Sequence, residues 1–165
     1  MANDIDVRPI VVGVDGSPAS RAALNWAVVE AERRRCPVEA VLAWQEDCGM
    51  VIGAIPFGVL AAMTSHGMDE VGRRVLDDAI AELHTDVEVR AVLTADDPRH
   101  ALTQASGNAV LLVVGRATAG PIRPALLGSV SRYCVRHASC PVVVLRDPAE
   151  HARAAPRPAL SGAML

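Results

Sequence analysis

AVLLVVGRATAGPIRPALLGSVS, residues 109–131, is the stretch on which the fold of this chain depends. It opens with an uncharged run, residues 109–114, that ends abruptly at Gly115. A short continuous apolar run bounded by turn residues is typical of a strand buried in a parallel sheet. A loop rich in glycine, proline and threonine follows, and Gly128 and Ser129 then introduce a pattern that favours a helix. The stretch therefore predicts a buried strand, a loop and the start of a helix.

The start of that helix is suited to binding phosphate. The first turn of a helix has backbone N–H groups without intrahelical partners and carries a partial positive charge. Small residues allow the backbone to approach an anion, and the hydroxyls of Ser129 and Ser131 can add donors. We therefore expect a nucleotide-phosphate site between Gly115 and Ser131.

Composition excludes several other classes of function. Hydrophobic residues make up 51% of the 165 residues and charged residues 21%, which favours one globular domain. The net charge of −3 gives no general electrostatic attraction for nucleic acid, so no nucleic-acid partner is expected. All 16 basic residues are arginines, so the lysine of a P-loop and any lysine nucleophile are excluded.

The order of predicted elements indicates an α/β fold. The pattern predicts strands over residues 8–14, 38–44, 87–94, 109–114 and 141–146, and helices over residues 18–34, 69–84, 98–105 and 129–137. Ser17 and Asp97, each followed by proline, are the expected N-caps of the first and third helices. Strict alternation of strand and helix requires crossover connections. The predicted fold is a five-stranded, mostly parallel, open Rossmann-like sheet with helices on both faces.

The remaining segments are interpreted from their composition. Residues 8–146 form the predicted domain, with an arm at residues 1–7 and a disordered tail, rich in alanine and proline, at residues 147–165. Residues 48–68 are uncharged but interrupted by glycines and Pro56. This pattern indicates a mobile apolar loop or flap rather than a membrane-spanning helix. The first ten residues lack an apolar signal core, and we expect a cytoplasmic protein with reduced cysteines.

Three candidate site residues follow predicted strands or end them. In parallel sheets, ligands bind beyond the carboxyl ends of the strands, where the strand order reverses. Asp15, Ala43 and Gly115 all fall at such ends. We therefore expect Asp15 and the phosphate site to lie at the same rim of the sheet.

Segments near both ends of the predicted domain resemble the universal stress protein family. They are residues 10–17 (IVVGVDGS), 111–115 (LLVVG) and 126–131 (LLGSVS), the last followed by residues 140–145 (CPVVVL). Members of that family that bind ATP share the motif G-x2-G-x9-G-[ST]. Here Gly115 is the first glycine and Gly128-Ser129 lie at the expected distance, but Thr118 replaces the second glycine. Threonine resists the positive φ angles that glycine accepts.

The resemblance implies binding of ATP or a related adenine nucleotide, with Mg²⁺ accompanying the phosphates. Asp15 would hydrogen-bond the ribose or the adenine, while Gly13 and Ala43 would line the base pocket. The residues expected to hold the phosphates are Gly115, Gly128, Ser129, Val130 and Ser131. The protein would act as a sensor or regulator of the stress response, with slow ATP hydrolysis at most.

Several alternatives stay open at this stage. The chain could have lost ATP binding or prefer cyclic AMP, or it could be a weak ATPase or nucleotidyl-transfer enzyme, for which Asp15 is the obvious base. Asp15 could instead only cap the first helix, and Ser129 could be only an N-cap. Arg116 and Arg123 could reach a phosphate or be solvated loop arginines.

The last predicted strand suggests an oligomer. Residues 141–146 (PVVVLR) begin with proline and contain few charges, which suits an edge strand that pairs with a second copy of the chain. We therefore expect a homodimer through this strand.

Overall fold

The computed structural model describes residues 8–45, 65–116 and 127–146. In chain order the elements are β1 (Ile10–Gly13), α1 (Pro18–Arg34), β2 (Val38–Trp44), α2 (Ser65–Ala81), β3 (Val89–Ala95), α3 (Pro98–Ala105), β4 (Leu111–Gly115), α4 (Ser129–His137) and β5 (Val142–Leu145). A short 3-10 turn, Ser106–Asn108, follows α3. The predicted arm at residues 1–7 and the tail from residue 147 lie outside the described residues.

The strands form one sheet in the order β3-β2-β1-β4-β5, and every neighbouring pair is parallel. Ile10 of β1 lies opposite Val38 on one side and Leu111 on the other. The predicted five-stranded parallel sheet is confirmed. Because the chain leaves β1 toward β2 and later returns to the other side of β1, the strand order reverses between β1 and β4, where such sheets bind ligands.

Helices cover both faces of the sheet, as predicted. Leu24 of α1 and Leu76 of α2 pack with Ile10 and Val12 in one core cluster. Leu102 of α3 and Cys134 of α4 pack with Val11 in a second cluster on the opposite face. Alternate residues of β1 point to opposite faces, so this strand is buried on both, which explains its continuous apolar run.

The predicted N-caps are confirmed. The Ser17 side chain accepts a hydrogen bond from the Ser20 N–H at the start of α1. Asp97 accepts from the Arg99 N–H at the start of α3, at 2.8 Å. In both helices proline occupies the first turn, where its missing N–H costs nothing.

The second helix begins earlier than the sequence predicts. The expectation of a loop at residues 48–68 is wrong at its end, because α2 already starts at Ser65. Met68 is buried and lies four residues before Gly72, so the buried stripe extends upstream of the predicted start. Residues 48–64, the rest of that apolar run, lie outside the described residues. None of the described helices is long and apolar enough to cross a bilayer.

The described cysteines are free thiols: Cys36, Cys134 and Cys140. Cys134 is fully buried, and burial raises the pKa of its thiol to about 11. Burial also raises the pKa values of Cys36 and Cys140. These thiols therefore stay protonated at neutral pH, which makes them poor nucleophiles.

Candidate functional site

A cleft of about 530 Å³ opens at the carboxyl ends of β1, β2 and β4. Residues from the β1–α1 turn, from the start of α3 and from the start of α4 complete its walls. Its volume falls within the range of about 300–1,000 Å³ found for small-molecule sites. We call it the carboxyl-end cleft, and it contains all eight residues that the sequence predicts for the site.

The strand ends contribute Gly13, Ala43 and Gly115 to this cleft. Each has a small side chain or none. A Cβ at Gly115 would lie 2.8 Å from the backbone of Ala19 and Ser20, which is closer than Cβ atoms approach other heavy atoms in proteins. Gly115 is therefore required by the close approach of α1 to β4, a reason for this glycine that does not depend on a ligand.

Asp15 follows β1 and is exposed at the mouth of the cleft. Its Oδ1 accepts a hydrogen bond from the Ser17 N–H at 2.9 Å. Gly16, between them, has a φ of 79°, which glycine adopts without strain. Asp15 thus orders the turn before α1, while Ser17 caps the helix itself. One carboxylate oxygen serves the turn, and the side chain lines the cleft.

The start of α4 contributes Gly128, Ser129, Val130 and Ser131. Gly128 occupies the N-cap position, and no side chain caps this helix. The Arg132 N–H makes the first bond of the helix, to the Gly128 carbonyl at 3.0 Å. The N–H groups of the first three helical residues therefore have no carbonyl partner within α4. The start of α4 differs in this respect from the starts of α1 and α3, where side chains provide the cap.

The two serines of α4 have different roles. Ser131 is buried, and its hydroxyl donates to the Gly115 carbonyl at 2.8 Å, which ties α4 to the end of β4. A hydroxyl has one hydrogen, so in this arrangement Ser131 offers a phosphate only its backbone N–H. Ser129 is exposed and is the first helical residue, so the alternative that it is the N-cap is wrong.

The cleft also contains an ion pair whose two residues are not among the predicted site residues. Asp97 and Arg99 line the wall formed by α3. Arg99 Nε lies 2.9 and 3.1 Å from the two carboxylate oxygens of Asp97, and the hydrogen bond from Arg99 lowers the pKa of Asp97 to about 2. Both residues follow the carboxyl end of β3. The rule that ligands bind beyond the carboxyl ends of parallel strands, which predicts Asp15, therefore also points to them.

Arg116 lies inside the fold rather than in solvent. It is 8% exposed, lines the cleft, and donates its backbone N–H to the Leu145 carbonyl at 2.6 Å. The alternative of a solvated loop arginine is therefore wrong for Arg116. Arg123 and Thr118 lie outside the described residues.

Comparison with known proteins agrees with this architecture. The model of the universal stress protein family matches residues 6–146. A universal stress protein of Mycobacterium tuberculosis is 37% identical over 150 residues, which cover 84% of this chain and 47% of the relative. The chain thus spans about half the length of the curated relatives it matches.

Solved structures with the same fold include two nucleotide complexes. A universal stress protein in complex with cAMP has a TM-score of 0.56 and 25% identity, with 84% of this chain and 96% of that one covered. A universal stress protein from Archaeoglobus fulgidus in complex with dAMP has a TM-score of 0.56 and 23% identity, with 83% and 96% covered. The family match covers the whole of the predicted domain, and the chain belongs to the universal stress protein family.

Proposed function

We propose that this chain binds an adenine nucleotide in the carboxyl-end cleft and acts as a sensor or regulator of the stress response. The observation that carries the proposal is the helix start without a side-chain cap, Gly128 to Ser131, in the same cleft as Asp15. A nucleotide needs both kinds of group, because its phosphate is an anion and its ribose hydroxyls are hydrogen-bond donors. N–H groups at a helix start suit the phosphate, and a carboxylate suits the hydroxyls.

The residues present fit such a ligand. Gly128 has no side chain to occupy the space where a capping group would otherwise satisfy the first N–H groups of α4. Gly13 and Ala43 leave room at the strand ends, and Leu102 and Val41 provide apolar surface there. An apolar wall with a few convergent polar groups is typical of small-molecule sites. In this arrangement the base would lie near Gly13 and Ala43 and the phosphate near α4.

The related complexes support an adenine nucleotide. The ligands named for two relatives of the same fold, cAMP and dAMP, each combine adenine with one phosphate group. The resemblance to the family's ATP-binding motif, carried by the spacing of Gly115 and Gly128-Ser129, implies ATP accompanied by Mg²⁺. Thr118, in place of the second motif glycine, favours a ligand with a single phosphate such as AMP or cAMP.

We infer that binding, rather than turnover, is the function of the site. Asp15 is the predicted base; its Oδ1 accepts a hydrogen bond from the Ser17 N–H at 2.9 Å, and in the proposed complex its other oxygen accepts from the ribose. A general base must instead be positioned at the reacting atom, which in nucleotide hydrolysis is at the phosphate and not at the ribose. We expect no steady product formation from ATP over hours with excess Mg²⁺. Steady turnover that Asp15→Ala abolishes would refute this part of the proposal.

We also propose a cytoplasmic homodimer through β5. This strand is at the edge of the sheet, and no described strand pairs with its outer side. The Pro141 carbonyl accepts a hydrogen bond from Leu112 of β4, and the Leu145 carbonyl accepts one from Arg116, which directly follows β4. Backbone groups alternate in direction along a strand, so those of Val142 and Val144 point to the open edge. Val144→Pro removes one outward N–H and should give a folded monomer in sedimentation; an unchanged dimer would refute this interface.

The experiment that tests the proposed function uses protein purified directly from cells. We expect that protein to release an adenine nucleotide on denaturation, identified by mass spectrometry. Calorimetric titration of the nucleotide-free protein should show saturable binding of AMP, cAMP or ATP. Protein that releases no nucleotide and gives no heat with any of the three would refute the proposed function.

A further inference from the structure

We propose that Arg99 is the side chain that recognises the phosphate charge of the ligand, and that Asp97 holds this arginine when no anion is bound. The proposal rests on the proposed function and deepens it, because it assigns the discrimination between phosphorylated and unphosphorylated ligands to one ion pair. The sequence motif and the resemblance to the family do not include either residue in the site.

The first observation is position. Arg99 is the second residue of α3 and lines the carboxyl-end cleft together with Gly128 and Ser129 of α4. Arg99 therefore forms part of the wall of the same cleft in which the helix start would hold a phosphate. Arginine presents a planar set of donors that matches the oxygen atoms of carboxylate and phosphate alike.

The second observation is a contact between α3 and α4. The Arg99 Cζ atom lies 6.0 Å from the centre of the Tyr133 ring, within the range of cation–π interactions. Tyr133 is four residues after Ser129, and residues four apart share one face of a helix. The Tyr133 ring in turn lies 4.2 Å from the His137 ring. This stack keeps the guanidinium beside the face of α4 on which Ser129 lies.

The third observation is that Asp97 has two separate functions. Its carboxylate bonds the Arg99 side chain through both oxygens, and its Oδ1 also accepts from the Arg99 backbone N–H at 2.8 Å as the N-cap of α3. When the guanidinium turns to a phosphate, the capping bond can stay in place. The exchange replaces one bidentate oxygen partner by another, so it needs no rearrangement of the backbone.

Two consequences follow for ligand binding. Asp97 neutralises Arg99 in the empty cleft, so a phosphate must compete with a carboxylate of the same chain. Removing the carboxylate charge should therefore raise the affinity for phosphorylated ligands. Adenosine lacks the phosphate, and its affinity should depend on neither residue.

The test is calorimetric titration of the full chain with AMP and with adenosine. Arg99→Gln should weaken AMP binding about tenfold, the scale of one lost hydrogen bond to a charged group, and leave adenosine binding unchanged. Asp97→Asn should strengthen AMP binding several-fold, again with no change for adenosine. Asparagine is as good an N-cap as aspartate, so α3 keeps its start.

The chain offers a matched control. Arg90 pairs with Glu88 across the same two-residue spacing, at the other end of β3. Arg90→Gln removes the same charge and the same kind of pair away from the carboxyl-end cleft, and it should leave AMP binding unchanged.

Three results would overturn the proposal, and they differ from one another. Unchanged AMP affinity in Arg99→Gln would show that the arginine does not recognise the phosphate. An equal loss of AMP and adenosine binding would show that Arg99 only supports the shape of the cleft. Wild-type protein that binds neither ligand would refute the proposed function itself, and the assignment of Arg99 with it.

Discussion

Among the described residues, two clefts of nearly equal size lie at opposite ends of the sheet. The carboxyl-end cleft measures about 530 Å³. The second, which we call the amino-end cleft, measures about 510 Å³ and is lined by residues that include Glu32, Arg35, Cys36, Glu88 and Arg90. Each cleft contains an acidic residue followed two positions later by an arginine that pairs with it. Volume and charge pairs therefore do not distinguish them.

The helix ends that face the two clefts do distinguish them. The carboxyl-end cleft contains the start of α4, where three N–H groups have no partner within the helix. The amino-end cleft lies at the end of α1, where helices carry partial negative charge. There the Arg35 N–H already bonds the carbonyls of Ala31 and Glu32. An anion is favoured at the first cleft and not at the second, so backbone polarity, rather than size, supports the carboxyl-end cleft as the proposed site.

The largest expected effect concerns the packing beneath the carboxyl-end cleft. Gly115→Ala places a Cβ 2.8 Å from the backbone of Ala19 and Ser20, and backbone atoms cannot move aside as a side chain can. We expect a loss of about 3 kcal/mol in the free energy of unfolding, together with weaker nucleotide binding.

Gly107→Ala is the matched control for this substitution. A Cβ at Gly107 meets nothing within 4 Å. Its free energy of unfolding, measured by urea denaturation, should stay within about 0.5 kcal/mol of the wild-type value. Equal effects of the two substitutions would contradict the steric role of Gly115.

A smaller effect separates the two serines of α4. Ser131→Ala removes the 2.8 Å hydrogen bond to the Gly115 carbonyl and should cost about 1–2 kcal/mol of stability. Ser129→Ala, at an exposed position, should leave stability unchanged and weaken AMP binding relative to adenosine. Thermal denaturation and calorimetric titration of both variants check this division. If Ser129→Ala is the destabilised variant, the assignment of the two hydroxyls is wrong.

A further substitution tests the amino-end cleft. Arg35 has a φ of 57° and a ψ of 46°, the left-handed conformation that glycine adopts without strain. Arg35→Gly should therefore stabilise the protein, by about 0.5–1 kcal/mol. It should not change AMP affinity, because this cleft is not the proposed site. Loss of AMP binding in Arg35→Gly would reverse the comparison between the two clefts.

The smallest expected effect is a dependence on acid pH. Arg99 lowers the pKa of Asp97 from its usual 3.8 to about 2 in the folded protein. Because the folded-state pKa is the lower one, ionised Asp97 stabilises the fold above about pH 4, and this contribution disappears as the pH falls toward 2. The pair is partly exposed, so we expect only about 0.5 kcal/mol.

Asp97→Asn removes this dependence. The stability difference between wild type and Asp97→Asn should be present at neutral pH and shrink across that acid range. A difference that stays constant down to pH 2 would contradict the strength of the Asp97–Arg99 pair.

The sequence predicts the fold well because fold information is local. The apolar run before Gly115 and the capped start at Ser17 are visible without knowledge of distant contacts, and their alternation requires a parallel sheet. The position of Asp15 follows from the same rule. All eight predicted site residues consequently line one cleft.

The finer features depend on contacts between distant segments. The Ser131 hydroxyl bonds a carbonyl sixteen residues away, and the restriction on Gly115 comes from the first turn of α1. The contact of Arg99 with Tyr133 joins two helices that no periodicity relates. Side-chain orientations of this kind are set by tertiary packing, which the pattern of one segment does not encode.

The most direct test of the central claim is an NMR titration of isotope-labelled protein with AMP, in which the amide signals of both clefts are followed together. The account predicts saturable shifts at Gly13, Asp15, Gly115 and the first residues of α4, while the signals of Arg35 and Arg90 stay in place. Shifts centred on Arg35 and Arg90, or no shift at either cleft, would contradict it.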